Sequence, residues 1–99
     1  MKIHESGPGE PGILKAIMGV AVLAGIGGDQ IPDAETERTI VSFINRYFGD
    51  LRVAELIYAY ELALAGYIEC DTRVYGVMGV RFFGNYLSAY KKWLATKIG

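Results

Sequence analysis

The feature that most constrains the fold is a helical repeat of apolar side chains near the end of the chain. Its members recur at steps of three and four residues: Phe83, Tyr86, Leu87, Tyr90, Trp93 and Leu94. This spacing covers one face of a helix with 3.6 residues per turn. Lys91, Lys92 and Lys97 fall in the C-terminal half, where cations favour the negative end of the helix dipole. The pattern predicts a helix over 80–97.

Two further apolar stripes occupy the middle of the chain. The first predicts a helix over 33–48. Asp33 and the glutamates that follow mark its start, because negative charge suits the positive N-terminal end of the helix dipole. The second predicts a helix over 51–64, with Asp50 as its N-cap and Gly66 as its stop. The two stripes are Ile40, Phe43, Ile44, Tyr47 and Phe48, then Val53, Leu56, Ile57, Tyr60 and Leu64.

The most apolar run is residues 13–26, in which Lys15 is the only polar side chain. The run is shorter than the roughly 20 residues that span a bilayer, so it predicts a core helix and no membrane partner. Gly27 and Gly28 are expected to end it, and Leu23 is expected to be buried. A helix that is apolar all round needs cover on every side. A second copy of the chain is expected to supply part of it, with a C₂ dimer as the default oligomer.

These elements predict one all-α domain over residues 13–99, a compact bundle of four helices. Ninety-nine residues allow a single core of modest size. The glycines and prolines of residues 1–12 predict a flexible, disordered leader, and residues 66–79 an irregular segment. The short connections at 27–32 and 49–50 predict that helices adjacent in sequence are neighbours in space.

The composition argues against an enzyme. The chain has one cysteine, Cys70, and one histidine, His4, which lies in the predicted leader. No nucleophile, base and orienting group can therefore be assembled, and no catalytic, cofactor-binding or metal-ligating residues are predicted. The glycines at 25–28 lack the preceding strand and the Gly-Lys-Ser/Thr of a phosphate-binding loop, so helix termination is the better account.

Charge is divided unevenly along the chain. Residues 29–71 hold nine acids and three arginines, whereas residues 73–99 hold five bases and no acid. Three interpretations stay open: a solvated helix face, a contact between acidic and basic surfaces of two subunits, and a basic helix that contacts nucleic acid. A net charge of −1 and so few cations allow only weak, salt-labile nucleic-acid binding. The candidate interaction surface is Arg73, Tyr75, Arg81, Lys91, Lys92, Trp93 and Lys97.

Seven tyrosines and one tryptophan favour a binding protein, because such side chains pack at one end and stay wet at the other. The expected function is that of a non-enzymatic accessory or adaptor protein, cytoplasmic, that binds a macromolecular partner, with a protein favoured. The alternative is a nucleic-acid-binding or transcription-regulatory helical domain that uses the basic C-terminal helix.

Residues 48–90 also carry a pattern in which a helix ending A-x-x-L-A-x-x-G precedes a short segment, a tyrosine and a helix ending L-x-x-Y. Its parts are Phe48, Leu51, Glu55, residues 59–63, Gly66, Ile68, Tyr75, Gly76, Phe83, Leu87, Ala89 and Tyr90. The pattern resembles a group of small helical proteins of phages and mobile elements, some of them similar to helicase loaders or replication-accessory proteins. The resemblance implies a helical fold and a role in replication of a mobile genome. Since the chain lacks a nucleotide-binding motif, any loading role implied would act by protein contact alone.

Overall fold

The computed structural model describes residues 11–98, and these residues form a bundle of four α-helices. The helices are α1 (Pro11–Ala24), α2 (Ala34–Tyr47), α3 (Val53–Ala65) and α4 (Val80–Ile98), with a short 3₁₀ turn at Gly28–Gln30. No sheet strand forms within residues 11–98, so the predicted all-α class is confirmed.

The predicted leader over residues 1–12 is only partly covered by the structure. Residues 1–10 lie outside the described range, and residues 11 and 12 form the first turn of α1. Proline is well suited to this position, because the first N–H groups of a helix have no partner within the helix. Helix α1 thus begins within the stretch that the glycine and proline content assigns to the leader.

Helix α1 ends two residues earlier than the sequence pattern predicts. Gly25 adopts the left-handed conformation (φ 71°), its N–H bonds to Val22 O at 3.0 Å, and Ile26 N–H bonds to Ala21 O at 3.3 Å. These two bonds make a Schellman cap, in which a glycine reverses the backbone and satisfies the last carbonyls. Gly25 thus ends the helix, and the pair at 27–28 belongs to the turn that follows.

The start of α2 follows the sequence prediction, whereas the start of α3 does not. Asp33 caps α2, because its Oδ1 accepts the Thr36 N–H at 2.8 Å, which lowers the pKa of the Asp33 carboxyl. Helix α3 begins at Val53 and is capped from inside, where Glu55 Oε1 accepts the Arg52 N–H at 2.8 Å. Asp50 is therefore not the N-cap of α3.

The four helices pack in the order α1, α3, α4, α2 around the bundle, with α2 returning to α1. Helices α2 and α3 are joined by only five residues and yet lie at opposite corners, so the predicted neighbourhood holds for α1 and α2 but not for this pair. The burial of Phe48 and Leu51 in the connection explains the change of direction, because both side chains enter the core there.

One face of α1 is buried and the other is not. Ile13, Ile17 and Val20 are fully buried, whereas Val22 is 78% exposed and Leu23 is 40% exposed. The expectation that Leu23 lies in the core is therefore wrong. Among residues 11–98, no helix combines the length and the apolar character needed to cross a bilayer.

Three buried tyrosines of α3 and α4 bind polar groups inside the bundle. The Tyr86 hydroxyl donates to Leu56 O at 2.7 Å and the Tyr90 hydroxyl donates to Glu55 Oε2, which ties α4 to α3. The Tyr60 hydroxyl donates to Thr72 O at 2.7 Å. Burial raises the pKa of all three phenols. The hydroxyls satisfy their hydrogen bonds while the rings fill the core.

Residues 66–79, hereafter the 66–79 segment, have no regular secondary structure, as predicted. Ile68 and Met78 bury their side chains and hold the two ends of the segment against the bundle. Gln30 binds it as well, since its carbonyl accepts Met78 N–H at 2.9 Å and its Nε2 donates to Val74 O at 3.4 Å. The segment therefore crosses the bundle surface in a defined path beside α4.

Candidate interaction surface

The exposed face of α4 carries a stripe of four polar side chains. Arg81, Asn85, Ser88 and Lys92 are exposed and follow one another at steps of four, three and four residues. This spacing puts them on one side of the helix, over about 16 Å at 1.5 Å per residue. Neither Arg81 nor Lys92 has an ion pair with any residue in the described range. We call these four residues the polar stripe.

A groove of about 410 Å³ lies at the N-terminal end of the polar stripe, between α4 and the 66–79 segment. Val77, Val80 and Phe82 give it an apolar lining, while Arg81 and Tyr75 stand at its edge. We call it the Phe82 groove. The Phe82 ring is held from behind, because its centroid lies 5.4 Å from that of Tyr60 and 5.5 Å from that of Tyr86.

A second groove, of about 350 Å³, lies at the other end of the polar stripe. Tyr67, Ala89 and Trp93 contribute its apolar surface, and Lys92 and Glu69 its charges. We call it the Trp93 groove. Asn85 lines both grooves and separates them, since its Nδ2 donates to Asp71 O at 3.5 Å.

Asp71 organises the exposed part of the 66–79 segment. Its Oδ2 accepts the Tyr75 hydroxyl at 2.6 Å, and its Oδ1 accepts the Arg73 N–H at 3.0 Å and Nε–H at 3.3 Å. These bonds, the Tyr75 hydroxyl first, lower the pKa of the Asp71 carboxyl to about 2. The Arg73 guanidinium also lies over the Tyr75 ring, 5.4 Å from its centroid. Arg73 and Asp71 therefore neutralise each other at the edge of the Phe82 groove.

The structure brings six of the seven residues of the candidate interaction surface into two groups and leaves Lys91 outside both. Arg73, Tyr75 and Arg81 lie at the Phe82 groove, and Lys92 and Trp93 at the Trp93 groove. Lys97 lies over the Trp93 ring at 5.4 Å from its centroid. Lys91 is separate, because its Nζ lies 3.1 Å from both Asp50 carboxylate oxygens and 5.9 Å from the Phe48 ring centroid.

The sequence pattern did not point to several residues of this surface. Asn85 and Ser88 could have been found, because they continue the helical spacing of Arg81 and Lys92 on the face opposite the apolar stripe. Tyr67 and Phe82 carry no such signal, since their place depends on how the 66–79 segment crosses α4. Phe43 of α2 borders the stripe on its other side, against Gly84.

No group of three or more potential metal ligands lies within residues 11–98. Cys70 borders the Trp93 groove and is half-buried, and burial raises the pKa of its thiol. A raised pKa keeps the thiol protonated at neutral pH, and the thiolate is the nucleophilic form.

No family model, no curated protein and no solved structure matches the chain.

Proposed function

We propose that the chain is a non-enzymatic adaptor that binds another protein through the polar stripe and the two grooves beside it. The observation that carries the proposal is the exposure on α4 of two cations, Arg81 and Lys92, that form no ion pair within residues 11–98 and lie next to aromatic-lined grooves. Arginine and aromatic side chains are enriched at the centres of protein interfaces. Tyr67 and Tyr75 stand beside the grooves with 68% and 67% of their surface exposed.

The charges of this surface favour a protein over nucleic acid. Arg73 is paired with Asp71 and Lys91 with Asp50, which leaves Arg81, Lys92 and Lys97 for phosphates. Three phosphate contacts supply weak binding that salt removes readily.

The cellular setting of the adaptor is part of the same proposal. The resemblance of residues 48–90 to small replication-accessory proteins of phages and mobile elements supports a role in replication of such a genome, in the cytoplasm. Residues that carry the resemblance, among them Tyr60, Gly66 and Tyr90, hold the 66–79 segment and α4 in place. They therefore stabilise the fold that forms the surface, and other residues determine which partner binds.

Self-association is a second part of the proposal. Met18, Val22 and Leu23 expose apolar surface on α1, at 39%, 78% and 40%. A second copy that covers this surface would remove it from water, and a C₂ dimer is the commonest closed arrangement.

Light scattering at high micromolar concentration should give the mass of a dimer, and Val22→Lys should shift the measured mass toward that of the monomer. A monomeric mass for the unmodified protein would refute this part.

Site-specific photo-cross-linking tests the adaptor function. A photoreactive amino acid at Ser88, in the middle of the polar stripe, should yield a discrete protein adduct in the native host. The matched control is the same amino acid at Ser42, which is exposed on α2 and lines neither groove. The proposal requires an adduct from position 88 that is absent from position 42. Equal labelling from both positions, or none from position 88, would refute it.

A further inference from the structure

The two ends of the polar stripe repeat one arrangement. Arg81 stands beside the Phe82 groove, and Lys92 stands beside the Trp93 groove. Each end therefore offers a cation and, next to it, an aromatic side chain in the lining of a groove. The two cations are 11 positions apart on one helix face, about 16 Å along its axis. A ligand that used both ends would need the same pair of groups twice at this separation.

The polar groups between the two cations suit an anionic ligand. Asn85 keeps one amide N–H beyond its bond to Asp71 O, and Ser88 has a free hydroxyl donor among the described residues. Residues 81–98 include no acid, so nothing on α4 opposes a negative group along the stripe. The acids nearby are Asp71, whose oxygens are occupied by Tyr75 and Arg73, and the exposed Glu69.

We propose that the partner contributes an acidic segment with two carboxylate side chains, each next to a large apolar side chain. The carboxylates bind Arg81 and Lys92, and the apolar side chains enter the Phe82 and Trp93 grooves. The segment spans about 16 Å, at least five residues when fully extended. This inference rests on the proposed adaptor function and adds the chemistry of the partner. Charge complementarity selects the segment, and the grooves position it.

Selection from a displayed library of random 16-residue peptides tests this inference on the full-length protein. Enriched peptides should carry two Asp or Glu residues, each with an aromatic or large aliphatic neighbour. Fluorescence anisotropy of a labelled enriched peptide should show at least a tenfold loss of affinity for R81E/K92E. The matched control K15E/R38E makes the same change of charge at exposed positions of α1 and α2, and should change the affinity less than twofold.

The outcomes separate this inference from the adaptor function. Peptides that lack acids but lose binding with Phe82→Ala would overturn the acidic chemistry and leave the adaptor surface in place. Peptides whose affinity is unchanged by R81E/K92E, or the absence of any enriched peptide, would also overturn the inference. The cross-linking from position 88 decides the adaptor function independently. Circular dichroism of each variant shows that a loss of binding does not come from unfolding.

Discussion

The hydroxyl of Tyr90 donates to Glu55 Oε2 across 2.5 Å, while Oε1 of the same carboxylate accepts the Arg52 N–H at 2.8 Å. One side chain thus caps the N-terminus of α3 and holds α4 to it. Residues 55 and 90 are 35 positions apart, so the bond closes a long loop that contains the whole 66–79 segment. The polar stripe is thereby fixed relative to α3.

We therefore expect Tyr90→Phe to lower the free energy of unfolding by about 1.5–3 kcal/mol, the range for hydrogen bonds to charged groups. The ring is kept, so the change isolates the hydroxyl. Tyr58→Phe is the control, because Tyr58 is 47% exposed and its hydroxyl makes no hydrogen bond to a described residue. Urea unfolding of the three proteins measures the difference, and equal stability of both variants would contradict the assignment.

The buried phenols predict a loss of stability at alkaline pH. Burial raises the pKa of Tyr60, Tyr86 and Tyr90, so the folded state keeps protons that the unfolded chain releases above about pH 10. The stabilisation is complete below that pH and falls as pH rises further, by up to about 1.4 kcal/mol per pH unit for each phenol.

Urea unfolding between pH 8 and 11 tests this alkaline effect. The slope of stability against pH should become shallower in Tyr86→Phe, because this variant lacks a phenol that is fully buried in the folded state. An unchanged slope in Tyr86→Phe would show that this phenol does not keep its proton in the folded state.

The exposure of Leu23 reverses an expectation about α1. Ile17 has no exposed surface, so Ile17→Ala should cost about 2–5 kcal/mol, whereas Leu23→Ala should cost less than about 1.5 kcal/mol. Thermal or urea unfolding of the two variants gives the comparison. A larger loss for Leu23→Ala would indicate that a further contact, such as a second subunit, covers that side chain.

The close approach of α1 to α3 at Gly19 predicts a coupled pair of substitutions. A Cβ at Gly19 would lie 2.8 Å from Ile57 Cδ1. Alanine gains helix propensity of about 1 kcal/mol over glycine, and that gain is offset because Ile57 must shift. Ile57→Val removes the contacting methyl, so G19A/I57V should be more stable than the sum of the single changes, by about 0.5 kcal/mol or more. Strict additivity would contradict this packing.

The sequence predicted the features that depend on neighbouring residues, and it did not predict those that depend on contacts between residues far apart in the chain. The four helices follow from apolar periodicity, and Gly66 ends α3 as expected because its left-handed conformation is a local property. The Asp50 cap failed because Glu55 caps α3 from within and Asp50 contacts Lys91 of α4. The grooves were beyond prediction, since the path of the 66–79 segment depends on Gln30, 44 residues from its partner Val74.

The nucleic-acid alternative makes its own prediction. Arg81, Lys92 and Lys97 would add at most about three contacts, each worth about 0.9 in the salt slope. We expect no sub-micromolar binding of labelled single- or double-stranded DNA in fluorescence anisotropy at about 150 mM salt. Sub-micromolar affinity that R81A/K92A abolishes would favour the nucleic-acid function over the protein adaptor. Lys91 is left unchanged in this variant because it pairs with Asp50.

The hydrogen bonds that Gln30, Tyr60 and Asn85 make to the 66–79 segment have a thermodynamic consequence. One wall of each groove is a stretch of chain with no regular structure of its own, so the grooves exist only while the bundle holds that stretch in place. The unfolded chain has no such cavity to offer. By mass action, a ligand present at 100 times its dissociation constant would therefore raise the free energy of unfolding by about 2.7 kcal/mol. Ligand binding at this surface and folding of the chain are therefore linked equilibria.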